Sequence, residues 1–120
     1  MYEIRIEIAK NRLYTTLSGF FSTEEAKKAV DEVIEATQKL KPGYDVITDV
    51  TLFKPASPEA AKEIGRVQAH FATSGLRRGL RVIGANTMAE LQFNRLAKQT
   101  TYDANNVATV EDAEKILDQL

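Results

Sequence analysis

The chain has 120 residues, 43% apolar and 28% charged, with a formal net charge of −1 and no cysteine. These totals describe one globular domain with a single core; they exclude disorder, disulfides and thiolate metal sites, and argue against nucleic-acid binding by bulk electrostatics. No apolar run approaches the roughly 20 residues of a spanning helix, and the alternating "MYEIRIEIAK" is neither signal peptide nor membrane segment; the lack of cysteine fits a reducing cytoplasm, which is the expected setting.

Residues 2–8 place Tyr2, Ile4, Ile6 and Ile8 on one side and Glu3, Arg5 and Glu7 on the other, the period of a half-buried strand. Lys10 and Asn11 make a short turn, and "RLYTTLSG" continues as a second, antiparallel strand. Such clean alternation predicts a sheet with one face open to water. In "STEEAKKAVDEVIEATQKL", Ser22 and Glu25 form a capping box, and Ala26, Ala29, Val30, Val33, Ile34, Thr37 and Leu40 form an apolar helical stripe. "KPG" ends that helix and "YDVITDVT" is a third strand. A second helix runs from Pro58 to about Ser74, with Ala60, Ile64, Val67 and Phe71 inward, and Gly75 stops it.

"LRVIG" at 80–84 reads as a short buried strand, and "NTMAELQFNRLAKQ" as a third helix in which Thr87 and Glu90 repeat the capping-box spacing. Beyond the polar loop "TYDANN", Val107 and Ala108 add a brief edge strand. "TVEDAEKILDQL" closes the chain with Thr109 as cap and Val110, Ala113, Ile116, Leu117 and Leu120 on one face. Helices between successive strands demand parallel pairing and right-handed crossovers. The predicted fold class is therefore α/β: a single two-layer domain over 1–120, with a mixed sheet of four to five strands, an N-terminal β-hairpin followed by parallel strands, and helices mainly on one face.

The hairpin ending in "LSGFFSTEEA", the strand "VITDVT", the helix "SPEAAKEIG" and the later "RRGLRVIG" resemble, in their order, the SpoIIAA-like (STAS) superfamily of anti-sigma-factor antagonists. The likeness is to its divergent STAS/SEC14-type branch of small bacterial proteins. The resemblance implies a βα superhelix and a non-enzymatic regulatory domain that binds a protein partner near the start of the second helix. It also implies a phosphorylatable hydroxyl at that helix start. Only Ser57 of "FKPASPEAA" stands there, flanked by Pro55 and Pro58 and without the family's usual Asp-Ser-Ser-Gly-like segment. Phe53, Lys54, Pro55, Ser57, Glu59 and Phe20 are the expected partner-binding residues, and a homodimer is left open. The SEC14-type side implies an alternative, a small anionic or lipid-like ligand. Arg66, Arg77, Arg78 and Arg81 would clamp its head group and an apolar gap between helices and sheet would take its tail.

Each of these residues also has a plainer reading. Every predicted helix starts on a hydroxyl (Ser22, Ser57, Thr87, Thr109), so Ser57 is first of all a cap ahead of a proline at the first helical position. Asp45 and Asp49 share a strand face, which suits acid–base or metal work, yet Asp49 near a strand end also suits a loop organiser. His70 is the single histidine and belongs on a helix flank; no nucleophile–base pair, metal cluster or cofactor fingerprint accompanies it, so neither an enzyme nor a cofactor is expected. The arginines can simply be a solvated face, although the basic stretch from Lys54 to Lys98 and the acidic tail from Asp103 suggest a polarised surface. Phe20, Phe21, Phe53 and Phe71 read as core aromatics unless one is left exposed, in which case it marks a docking surface.

Overall fold

In the computed structural model, which describes residues 1–100, 102 and 104–120, the predicted alternation of strands and helices is present. The strands are β1 (Tyr2–Glu7), β2 (Arg12–Gly19), β3 (Tyr44–Phe53), β4 (Leu76–Val82) and β5 (Ala104–Val107). The helices are α1 (Thr23–Thr37), α2 (Pro58–Thr73), α3 (Thr87–Ala97) and α4 (Val110–Asp118). The strands lie side by side in chain order; β1 and β2 are antiparallel, from Tyr2 opposite Leu17 to Glu7 opposite Arg12, and every later pair is parallel.

This order decides where the helices go. Each crossover from β2 onward moves one strand further in the same direction, so crossovers of one hand deliver α1, α2 and α3 to the same face. There Val50, from β3, meets Phe21, Ala29, Phe53, Ile64 and Phe93. The rings of Phe21 and Phe53 lie 5.8 Å apart, and Phe53 meets Phe93 edge-on at 5.2 Å, a geometry aromatic quadrupoles favour.

Helix α4 corrects the expectation of a fully open second face. It follows the last strand and turns back over the other side, where Ala113 and Leu117 are buried against Ile47, Leu80 and Val82. Its apolar stripe needs cover, and the alternate residues of β3 and β4 provide an apolar strip that α1–α3 leave free. Helices still lie mainly on one face, three against one. Over β1 the second face stays wet: Glu3 and Arg5 are exposed.

Several boundaries move for local reasons. Ile8 leaves the strand for a 3₁₀ turn, Ile8–Lys10, and is exposed rather than inward. Asn11 closes that turn at φ 52°, a left-handed conformation asparagine tolerates, and its side chain bonds the backbone of Lys41 in both directions, at 3.0 and 2.9 Å. β4 begins at Leu76, four residues before the predicted start, and β5 spans Ala104–Val107 instead of 107–108. Ser22, Ser57 and Thr109 cap their helices as expected, accepting the N–H groups of Glu25, Ala60 and Asp112 at 3.1, 3.2 and 3.1 Å. Thr87 does not; Asn86 is the cap, accepting from Ala89 N–H at 3.2 Å. Of the polar loop and acidic tail, Thr101 and Asp103 lie outside the described residues.

Candidate functional site

The C-terminal ends of parallel strands are where loops can diverge from a rigid sheet, and in open α/β sheets that edge is where ligands and partners bind. Here β2 and β3 end level, Gly19 opposite Phe53, and Lys54 N–H continues the ladder to the Gly19 carbonyl at 3.0 Å. Side-chain alternation then splits each apolar pair. Phe21 and Phe53 go inward at 3% exposure each, whereas Phe20 and Leu52 stand in solvent at 62% and 73%. Met88 and Leu91, on the first turns of α3, are exposed as well.

Two polar side chains that sequence reasoning missed hold this rim in place. The Asn86 side-chain amide donates to the carbonyls of Val50 and Phe53 at 2.9 and 2.8 Å, tying the start of α3 to the end of β3. Gln92 pairs with Ala56 through both halves of its amide, accepting at 2.9 Å and donating at 3.0 Å, which pins the segment leading into α2. An amide next to a threonine, and one within a helix, carry no sequence signal that separates them from ordinary surface residues.

Of the expected partner-binding residues, Phe20, Lys54, Pro55 and Glu59 are exposed and Ser57 is half-buried. Phe53 is the exception: it belongs to the aromatic core, because the register shift between Asp49 and Leu52 reverses the alternation begun at Val50, leaving Leu52 outward and Phe53 inward. Ser57 is a cap whose hydroxyl accepts the Ala60 N–H, with Pro58 at the first helical position and Glu59 in the first turn.

The four arginines are not brought together. Arg66 binds Glu63 through Nε and Nη2 at 2.8 and 2.6 Å and Asp31 at 2.7 Å on the outside of α1 and α2, and these bonds, Glu63 first, raise its pKa. Arg77 grips buried Asp45 with Nε and Nη2, at 2.8 and 2.5 Å, on the α4 side of the sheet. Arg78 is half-buried beside Phe71 and Leu76. Arg81 lies under α3 at 2% exposure, with its guanidinium carbon 5.2 Å above the Phe93 ring; burial pushes its pKa down. The clamp expected from Arg66, Arg77, Arg78 and Arg81 is thus dispersed, since two of the four neutralise carboxylates of their own chain. The apolar gap between sheet and helices encloses about 50 Å³ among Phe21, Phe53, Phe71 and Phe93. That space matches a few water molecules, not an acyl chain.

The remaining polar candidates have structural work. Asp49 Oδ1 accepts from the Thr51 N–H and hydroxyl at 3.0 and 2.8 Å, as a loop organiser does, and Asp45 faces Arg77 rather than Asp49. His70 Nε2 lies 2.8 Å from the Thr37 hydroxyl, which itself donates to the Ile34 carbonyl; Nε2 is therefore the donor, and burial lowers the His70 pKa. Among the described residues no cluster of His, Asp or Glu could hold a metal ion, and no helix is long and apolar enough to cross a membrane.

No family model and no curated protein matches the chain. A solved structure does: that of the Bacillus cell fate determinant SpoIIAA in its phosphorylated form. It aligns over 98% of this chain and 99% of the other, with a TM-score of 0.56 and 16% sequence identity. End-to-end coverage of both chains, with an N-terminal hairpin, parallel strands and helices mainly on one face, identifies the architecture: the chain has the SpoIIAA-like fold.

Proposed function

We propose that this chain is a non-enzymatic regulatory domain that binds a protein partner at the rim formed by the ends of β2 and β3 and the start of α2. The observation that carries the reading is the exposure of Phe20 and Leu52 on a rim held rigid from beneath by Asn86 and Gln92. Large apolar side chains in water on a fixed frame are what a docking surface offers, because little conformational freedom is lost when a partner covers them. Exposed Lys54 and Glu59 supply polar contacts around the apolar centre. The polar groups that would start a catalytic reading, Asp45, Asp49 and His70, are each occupied by a partner within the fold.

Ser57 is the proposed control point. A phosphate on its hydroxyl would sit at the N-terminus of α2, where backbone N–H groups and the helix dipole favour negative charge, while adding charge beside the apolar rim. The likeness to a protein solved in a phosphorylated form supports this reading. Affinity capture from an extract of the source cell tests it, with wild type beside Phe20→Asp, Leu52→Asp and Ser57→Asp. The expected result is a protein retained by wild type and lost with the two rim variants; identical captured sets would overturn the reading. Phosphosite mapping after incubation with ATP addresses the switch alone: phosphate at Ser57 supports it, and its absence removes that part.

A further inference from the structure

Along the second half of α3 runs a cleft of about 610 Å³ between that helix and strands β4 and β5. Its polar lining comes from Arg81, Asn94, Arg95, Lys98 and Thr100, and its apolar lining from Leu91, Ala97, Tyr102 and Ala104. Three of these side chains are cationic and none of the described lining residues is acidic. Asn94, Arg95 and Lys98 share one helix face by their spacing, so the cleft has a charged wall above a partly apolar floor.

Arg81 distinguishes this cleft from an ordinary basic surface. A guanidinium at 2% exposure normally faces a carboxylate, because an uncompensated buried charge is strongly unfavourable. No described carboxylate forms an ion pair with Arg81. Its Nη1 donates to Asn94 Oδ1 at 2.8 Å and Asn106 Oδ1 at 3.2 Å; Glu90 accepts from the Asn106 amide at 3.1 Å and attracts Arg81 through space, which offsets only part of the cost of burial. Two neutral amides and the Phe93 face orient the fork, and no described carboxylate bonds it directly. Arg95 and Lys98 likewise form no ion pair with any described residue. A buried, oriented guanidinium that no described carboxylate contacts, flanked by two cations with no ion-pair partner among the described residues, is a binding group for a planar or tetrahedral oxyanion.

We propose that this cleft binds a small organic oxyanion, a carboxylate or phosphate monoester with a compact apolar body. Arg81 takes the oxyanion at the floor, Arg95 and Lys98 close over it, and Leu91, Ala97 and Ala104 contact the body. The site is independent of partner binding at the start of α2 and uses one member of the dispersed arginine set together with two cations outside it.

NMR titration of the ¹⁵N-labelled protein tests the proposal, with benzoate, phenyl phosphate and inorganic phosphate as probes at constant ionic strength set with chloride. Benzoate, phenyl phosphate or both should shift the amides of residues 81, 94, 95 and 98 together, more strongly than inorganic phosphate, and the one that binds identifies the head group. Replacing both exposed cations, Arg95→Gln with Lys98→Gln, should leave the fold intact and weaken binding about tenfold through lost charge-assisted contacts. Arg81→Met should abolish binding wherever its spectrum stays dispersed. No shift at these residues with either aromatic probe, or unchanged affinity in the double variant, would overturn the proposal.

Discussion

Beneath the helices the aromatic rings of Phe21, Phe53 and Phe93 close on one another, whereas at the same strand ends Phe20 and Leu52 stand in water. The two regions are built from adjacent residues in the chain, Phe20–Phe21 and Leu52–Phe53, so composition cannot account for their different fates. The pleat does. One member of each pair points into the helix layer, and the other emerges at an edge that α4, packed over Ile47, Leu80 and Val82, leaves uncovered. Core and rim thus differ in what a substitution should cost, stability in the first and binding in the second.

The sharpest break in that comparison is Phe53→Ala. It removes the ring between Phe21 and Phe93 and should cost about 3–5 kcal/mol in urea unfolding, as buried aromatic truncations do. A loss under about 1 kcal/mol would place Phe53 on the rim after all. Next is Arg77→Ala, which strips the bidentate partner from the buried Asp45 carboxylate. Since the arginine end is partly in solvent, a loss of about 1.5–3 kcal/mol is expected, read from the same unfolding curves. Ser57→Ala should cost about 0.5–2 kcal/mol, as the loss of one N-cap does; an effect on partner capture beyond that would mean the hydroxyl contacts the partner. Smallest is Leu52→Asp, which should leave the unfolding midpoint almost unchanged, within about 0.5 kcal/mol, while abolishing capture.

Much of the fold was legible because strand and helix periods and capping signals are local. Ser22, Ser57 and Thr109 each announce a helix through a hydroxyl three residues ahead of the N–H it accepts. Thr87 failed because Asn86 competes for the same role, and what favours Asn86 is tertiary: its amide also reaches the carbonyls ending β3. The longer β4 and the position of α4 were hidden for the same reason. Gly79 can lie in a strand because the Tyr102 ring packs where its Cβ would be, and α4 chooses its face by which apolar strip remains free. At the site, the location of the rim could be read from the sequence, but Phe53 and Leu52 were indistinguishable without register. The arginines misled because sequence proximity of Arg77, Arg78 and Arg81 says nothing about which sheet face, or which carboxylate, each one meets.

The most direct test of the rim is amide hydrogen exchange on the wild-type chain, alone and with the protein that it captures. The account predicts slower exchange across residues 19–21 and 52–60, with β1 and α4 unchanged. Protection confined to β1 or α4, with the rim exchanging as in the free chain, would contradict it.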